Sequence, residues 1–267
     1  MADKPLHVGR AVKSITGEKM TKHIKVTPSA SKTKSKKNLK THVHVVLDRS
    51  GSMQSCRQST IDGFNEYLNT LRADKNGKYF VTLTQFDTDN NGVALEDTFT
   101  DLPLKKVKDL TLESFEPRGM TPLHDAIGSS IHATKARMNC KRGTNAVTMV
   151  VMTDGGENSS QEYSGKAIKS LIDEQEKEGW TVTYMGANQD AHSVGNTMGF
   201  KAGKTMTYDT GNMAKAFRGL ASSTVNRSAM YAETLDSMAV GASAADVTMA
   251  FAATAESTDF FEEEEDQ

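Results

Sequence analysis

The sequence predicts an α/β protein built on a doubly wound, mostly parallel sheet. Short apolar runs of strand length alternate along the chain with segments whose apolar residues recur at helical spacing. The run from Ala146 to Thr153 (AVTMVVMT) is almost continuously apolar or β-branched, which is typical of a central strand buried on both faces. With 267 residues, of which 37% are hydrophobic, the chain is long enough for one such domain with appendages.

The first part of the domain is predicted to contain a strand, a helix and a hairpin. Thr41 to Asp48 (THVHVVLD) is a strand-like run that ends at a Ser/Gly turn. The segment after it has apolar residues at helical spacing, namely Ile61, Phe64, Leu68 and Leu71. Tyr79 to Phe86 and Val93 to Phe99 form two strands around the turn sequence DNNG, so we expect one antiparallel strand at the edge of the sheet.

The second part alternates helices and strands. Thr121-Pro122 opens a helix, because proline is favoured in the first helical turn. After the central strand, the expected elements are a helix at Ala167 to Glu178, strands at Trp180 to Met185 and Met206 to Tyr208, and a helix that begins near Met213. This alternation favours right-handed crossovers and therefore parallel neighbouring strands.

The two ends of the chain differ in charge from the middle. Residues 1–40 carry eleven Lys and Arg against two acids, and residues 256–267 carry seven acids and no base. Such blocks are typical of solvated, flexible segments. We therefore expect a basic, mobile arm at residues 1–40, the domain at residues 41–225, and an Ala/Ser-rich segment with an acidic tail at residues 226–267. Phe260-Phe261, just before the acidic run, suggests a short docking motif.

Composition limits the classes of function and the compartment. The net charge is −2 and the arm has no aromatic residues for base stacking, so we expect no specific nucleic-acid binding. Nonspecific binding of nucleic acid or another anion by the arm stays open as an alternative to a solubilising role. No segment has the apolar length of a signal peptide or a membrane span, so we expect a cytoplasmic protein without a membrane partner. Cys56 and Cys140 lie far apart and are expected to be reduced thiols.

Three segments bring oxygen-bearing side chains to the carboxyl edge of the predicted sheet, where doubly wound folds bind ligands. Asp48, Ser50 and Ser52 follow the first strand, Thr121 precedes a helix, and Asp154 ends the central strand. Two carboxylates and three hydroxyls are hard donors, which suits a Mg²⁺ that keeps a position for an external ligand. The alternative is ordinary turn chemistry, since Asp, Ser and Gly dominate turns for backbone reasons.

This pattern resembles the metal-ion-dependent adhesion site (MIDAS) of von Willebrand factor A-type (vWA) domains, over residues 40–220. The resemblance implies a Rossmann-like vWA fold in which Ser50, Ser52 and Thr121 bind the metal directly. It also implies that Asp48 and Asp154 act through water or shift with conformation. The expected ion is Mg²⁺, with Mn²⁺ or Ca²⁺ as alternatives.

The resemblance further implies a binding module and not an enzyme. The cation would accept an Asp or Glu oxygen from a protein partner. Intracellular bacterial and phage proteins of this kind work in assemblies, for which an AAA+ ATPase is one candidate partner.

A metal-dependent, phosphatase-like hydrolase is the competing enzyme hypothesis, because an Asp after an apolar strand also begins haloacid-dehalogenase-type phosphatases. That family needs a second Asp two positions later, and this chain has Ser50 there. The sequence also lacks G-x-G-x-x-G after the first strand, and it lacks a P-loop.

The residues beside the predicted metal site have two interpretations each. Arg49 and Arg118 can grip a partner carboxylate or simply be solvated. Glu157, Asn158 and Ser159 can form the rim of the cleft or cap a helix.

Overall fold

The computed structural model describes residues 39–139, 141, 144–187 and 191–261. The expected basic arm before residue 39, Cys140 and the acidic residues 262–267 lie outside the described residues. The strands in the described part are β1 (Lys40–Asp48), β2 (Tyr79–Asp89), β3 (Gly92–Pro103), β4 (Asn145–Thr153), β5 (Thr181–Ala187) and β6 (Thr205–Tyr208). The helices are α1 (Arg57–Ala73), α2 (Leu123–Asn139), α3 (Gly165–Lys177), α4 (Ala191–Thr197), α5 (Met213–Ser237) and α6 (Ala244–Ser257).

The six strands form one sheet in the order β3-β2-β1-β4-β5-β6. All neighbours are parallel except β2 and β3, which pair antiparallel. The predicted fold class, a mostly parallel sheet with one antiparallel edge strand, is therefore confirmed. The pairing of β1 with β4 places Leu47 beside Met152, so these two central strands end at the same level and deliver Asp48 and Asp154 to the same edge.

Helices cover both faces of the sheet. One face shares a hydrophobic core with α1 and α5, and the other shares a core with α2, α3 and α4. The helices α1 and α5 approach closely, because a Cβ at position 63 would lie 2.2 Å from the Phe217 ring and only Gly63 fits there. Met149 and Met152 of β4 are fully buried, as expected for core packing.

The C-terminal part differs from the expected domain boundary at residue 225. That boundary falls inside α5, which is one continuous helix from Met213 to Ser237. The Ala/Ser-rich segment expected after that boundary forms the end of α5 and the helix α6, whose Phe251 joins Tyr231, Leu235 and Leu39 in a third buried cluster. This cluster lies at the amino ends of β1 and β4. The Ala/Ser-rich segment therefore forms helices that pack against the domain.

Phe260 and Phe261 do not form the exposed docking motif that their acidic neighbourhood suggested. Their side chains are buried in the core that α1 and α5 share with the sheet. Their backbone N–H groups donate to the carbonyl of Gly203, just before β6, at 2.7 and 3.1 Å. Burial of two large aromatic side chains stabilises the fold by about 2 kcal/mol each, which explains why they fold back onto the domain.

Two structural findings concern the thiol of Cys56 and the length and apolar character of the described helices. Cys56 is a buried free thiol, and burial raises its pKa. None of the described helices combines the length and the apolar character that crossing a bilayer requires.

Candidate functional site

The candidate site begins at Asp48, the last residue of β1. Its side chain is completely buried, and both carboxylate oxygens accept hydrogen bonds. Oδ1 accepts from the backbone N–H of Ser50 at 2.6 Å, and Oδ2 accepts from the Thr153 hydroxyl. Thr153 ends β4, so this carboxylate joins the ends of the two central strands and fixes the turn that carries the two serines.

The two serine hydroxyls connect this turn to Asp154. The Oγ atoms of Ser50 and Ser52 lie 3.1 Å apart, and Ser52 Oγ donates to Asp154 Oδ1 at 2.6 Å. Ser50 is buried, Ser52 is exposed and Asp154 is half-buried. The chain of oxygens therefore runs from the interior of the domain out to solvent.

Thr121 reaches the same place from a third segment. Its backbone N–H donates to Asn158 Oδ1 at 2.8 Å, and its carbonyl accepts from the Asn158 N–H at 3.1 Å, so the loop after β4 holds it. A Cβ built on Gly155 would lie 3.4 Å from Ser52 Oγ and 3.5 Å from Thr121 Oγ1. Both hydroxyls therefore face the same point, and a glycine leaves that point free of side-chain atoms.

The two carboxylates of the site lie in surroundings that raise their pKa values. Burial raises the pKa of Asp48 to about 6, although hydrogen bonds from Thr153 and Ser50 oppose this shift. Burial also raises the pKa of Asp154, and the hydrogen bond from Ser52 opposes it. Within the described residues neither carboxylate forms an ion pair. Two desolvated acids this close are costly unless a positive charge joins them.

These donors fit a hard divalent cation. The described residues include no group of three or more His, Cys, Asp or Glu side chains that could hold a metal ion. The site predicted from the sequence has only two carboxylates, and the rest of its donors are the hydroxyls of Ser50, Ser52 and Thr121. Oxygen-only donors with few charges suit Mg²⁺ and related ions better than a soft metal.

The loop after β4 is organised by two acids whose role the sequence did not reveal. Glu157 accepts from the backbone N–H groups of His124, Ser159 and Ser160, and Asp125 of α2 accepts from three successive N–H groups at residues 161–163. These bonds satisfy backbone donors and tie the loop to the start of α2. Asn158 and Glu157 therefore position Thr121 and its helix. The local sequence gave no signal for the contacts with the start of α2, because those partners lie 33 to 38 residues apart.

The two arginines beside the site are bound to the domain and are not simply solvated. Arg49 is buried, and it donates to Asp87 at 3.0 Å and to Glu96 at 2.8 Å. Arg118 donates from Nε to the same Asp87 at 2.7 Å, with half of its side chain exposed. Asp87, two residues before the end of β2, is fully buried and is a further residue whose role sequence reasoning missed.

This chain is similar to known proteins in its fold but not in its sequence. Neither the comparison with family models nor that with curated proteins gives a match to this sequence. Among solved structures, proximal thread matrix protein 1 from the mussel byssus matches 71% of this chain at 14% identity and a TM-score of 0.52. A second structure of that protein, with a zinc-occupied MIDAS motif, matches at 16% identity and a TM-score of 0.51.

The pilus adhesin SpaC from Lactobacillus rhamnosus GG, in an open conformation, matches 71% of this chain at 13% identity and a TM-score of 0.50. The chain covers 49% of the mussel protein and 30% of SpaC, so it spans about half the length of the former and less of the latter. At these identities the likeness concerns the fold alone. The sheet order and these matches together define a Rossmann-like vWA fold.

Proposed function

We propose that this chain is a divalent-cation-dependent protein-binding module. The observation that carries the proposal is the convergence of Ser50, Ser52, Thr121 and Asp154 around a point left open by Gly155, with Asp48 behind them. These five residues would hold the ion, for which Mg²⁺ is the first candidate and Mn²⁺ or Ca²⁺ the alternatives. The zinc-occupied MIDAS of the mussel protein supports the idea that this fold carries a divalent ion.

The open side of the site favours an external carboxylate. A bound divalent ion would supply a coordination position for an Asp or Glu oxygen of the partner protein. Ser52 is exposed, and a Cβ at Gly156 would meet nothing within 4 Å, so that residue leaves the approach free. Glu157 and Asn158 keep the neighbouring loop in place. An intracellular bacterial or phage assembly, with an AAA+ ATPase as one candidate partner, is the setting we propose.

The same contacts favour binding over hydrolysis. Asp48, the residue that a phosphatase-like mechanism would use as nucleophile, is fully buried with both oxygens engaged by Ser50 and Thr153. The position two residues later is Ser50, which does not provide an acid/base carboxylate. Purified protein should therefore not hydrolyse a phosphate ester above background, and a turnover that disappears in Asp48→Asn would revive the enzyme hypothesis.

Thermal unfolding with and without metal tests the proposal. A ligand that binds only the folded protein stabilises it by mass action, so about 10 mM MgCl₂ acting on a site with a Kd of about 1 mM adds about 1.4 kcal/mol. This corresponds to a rise in Tm of about 3 °C. The rise should vanish with EDTA and in Ser52→Ala. Ser170→Ala, which removes an exposed hydroxyl on α3, is the matched control and should keep the rise.

Two results would contradict the proposal. The first is a wild-type Tm that responds to none of Mg²⁺, Mn²⁺, Ca²⁺ and Zn²⁺. The second is an equal response in wild type and in the double variant Ser52→Ala, Thr121→Ala, because the ion would then bind elsewhere.

A further inference from the structure

The loop at residues 117–121 presents an arginine at the edge of the candidate site. The backbone N–H of Arg118 donates to the carbonyl of Arg49 at 2.8 Å, and the N–H of Gly51 donates to the carbonyl of Gly119 at 3.1 Å. Arg49 and Gly51 flank Ser50, so these two bonds join the Arg118 loop to the turn that carries the two serines. Arg118 therefore lies next to the serine turn and three residues before Thr121.

The backbone around Arg118 has little freedom. Gly119 has a φ of +66°, which favours glycine, and a Cβ there would lie 2.0 Å from the Thr88 carbonyl oxygen. The N–H of Met120 donates to Thr88 Oγ1 at 2.8 Å. Thr88, near the end of β2, therefore fixes the backbone of this loop. The direction of the Arg118 side chain is set before a partner binds.

Among the described residues, the Arg118 side chain is held through its Nε. Nε donates to Asp87 Oδ2 at 2.7 Å, while Asp87 itself is completely buried. Among the described residues, no contact is recorded for Nη1 or Nη2 of Arg118, and half of the side chain is exposed. A guanidinium whose Nε is occupied still has its terminal pair of nitrogens, which forms a fork for the two oxygens of a carboxylate.

Arg49 provides an internal contrast. It uses Nε and Nη2 on Asp87 and Nη1 on Glu96, and 7% of its side chain is exposed. All three of its guanidinium nitrogens therefore donate to acids of this domain, and Arg49 holds Asp87 in place. Arg118 shares that anchor through its Nε, and half of its side chain is exposed.

We infer that Arg118 is a second anchoring point for the partner, and that the recognised segment carries two carboxylates, one for the cation site and one for the Arg118 fork. This inference rests on the proposed function and specifies the partner as an acidic peptide segment. Because Asp87 and the loop already order the arginine, little conformational entropy is lost when the second carboxylate binds. Met120, half-exposed in the same loop, offers an apolar contact between the two anchors.

Synthetic peptides test this without knowledge of the natural partner. The reference peptide is acetyl-Gly-Gly-Gly-Asp-Gly-Gly-Gly-amide, with one carboxylate. The comparison set places one Glu at each of the six Gly positions in turn, because the spacing between the anchors on a peptide is open. Chemical-shift titrations of ¹⁵N-labelled protein in MgCl₂, repeated in EDTA, give the affinities.

At least one two-carboxylate peptide should bind the wild type about fivefold more tightly than the reference, since a half-exposed bidentate pair contributes about 1 kcal/mol. Arg118→Gln should remove this advantage and leave the reference affinity unchanged. Arg118→Lys should restore it only in part, because lysine keeps the charge and loses the fork. Arg218→Gln, a half-exposed arginine on α5, is the matched control and should retain the full advantage.

Different results would contradict the role of Arg118 and the proposed cation-dependent binding. Magnesium-dependent binding of the reference peptide, with a two-carboxylate advantage that survives in Arg118→Gln or is absent in wild type, overturns the inference alone. Absence of magnesium-dependent binding by every peptide overturns the proposed function, and the inference with it. An unchanged Tm in Arg118→Gln confirms that the variant is folded, because Asp87 keeps its bonds to Arg49.

Discussion

The two ends of the central strands β1 and β4 differ in how their charged side chains are paired. At the amino end, His42 has Nδ1 2.7 Å from Asp101 Oδ1 and Nε2 3.0 Å from Asn145 Oδ1, and Lys141 pairs with the same Asp101. At the carboxyl end, Asp48 and Asp154 have hydroxyl and amide partners but no basic residue among the described part of the chain.

The two ends of the strands also differ in what packs against them. The amino end lies under the cluster of Tyr231, Leu235 and Phe251, which α5 and α6 supply. At the carboxyl end, Gly155 and Gly156 follow β4, and a Cβ at Gly156 would meet nothing within 4 Å. Carboxylates with raised pKa values at an open edge are where a binding site is expected.

The largest effect is expected from breaking the cover at the amino end. Arg227 of α5 is almost completely buried and donates to the carbonyls of Thr254, Thr258 and Asp259, which joins α5 to the end of α6. Arg227→Ala leaves these carbonyls without their donors and opens a cavity, so the free energy of unfolding should fall by about 4 kcal/mol in urea titration.

Arg218 lies on the same helix and is more than half exposed, and so it provides the control. Arg218→Ala should change the free energy of unfolding by under about 0.5 kcal/mol. Similar losses in the two variants would mean that the α5–α6 pair contributes little to the stability of the domain.

A second effect, of intermediate size, concerns how the free energy of unfolding depends on pH through the buried His44 of β1. Burial, and to a lesser extent the charge of Arg137, lower the pKa of His44 from 6.5 to about 3. The unfolded chain therefore binds a proton that the folded chain rejects as the pH falls below 6.5. The contribution of His44 to stability is therefore fully present above that pH and is lost by about 1.4 kcal/mol per unit below it, or about 3 kcal/mol between about pH 7.5 and about pH 4.5.

His44→Gln should flatten this part of the pH dependence when unfolding is measured at several pH values. His192, which is exposed on α4, supplies the control, and His192→Gln should retain the full slope. A His44→Gln variant with the wild-type slope would assign the acid sensitivity to other groups.

The smallest effect on stability is expected at the open end, where it should be accompanied by a loss of binding. Gly155→Ala places a methyl group 3.4 Å from Ser52 Oγ and 3.5 Å from Thr121 Oγ1, which the fold accepts as ordinary contact. The metal-free Tm should change by under about 1 °C. The rise in Tm with MgCl₂ should disappear, because the methyl group occupies the point that the hydroxyls face.

Gly156→Ala is the neighbouring control, since its methyl group would meet nothing within 4 Å. This variant should keep the full response to MgCl₂. If both variants lose it, the effect belongs to the backbone of the loop and not to the space beside Gly155.

The sequence predicted those parts of the molecule that depend on local pattern. The order of strands and helices follows from periodicity, and Asp48, Ser50 and Asp154 were found because they stand at strand ends. Asp87 lies within β2, two residues before its end, and its role depends on two arginines at positions 49 and 118. No short-range pattern reports such contacts.

The C-terminal region was harder to predict for a related physical reason. Its small residues give a weak apolar signal, and its stability comes from distant partners such as Tyr231 for Phe251 and Gly203 for Phe260. Composition near residue 260 is dominated by acids, which indicates solvent exposure unless a receiving surface is known. The structure supplies that surface between α5 and β6.

The edges of the sheet also decide how separate molecules meet. At one edge β3 carries Glu96, Asp97 and Asp101, and its pairing with β2 contains register shifts. At the other edge β6 is only four residues long. Charge, irregular pairing and short length are the features by which natural sheets avoid adding strands from another molecule. Both edges of this sheet therefore disfavour edge-to-edge pairing between separate molecules.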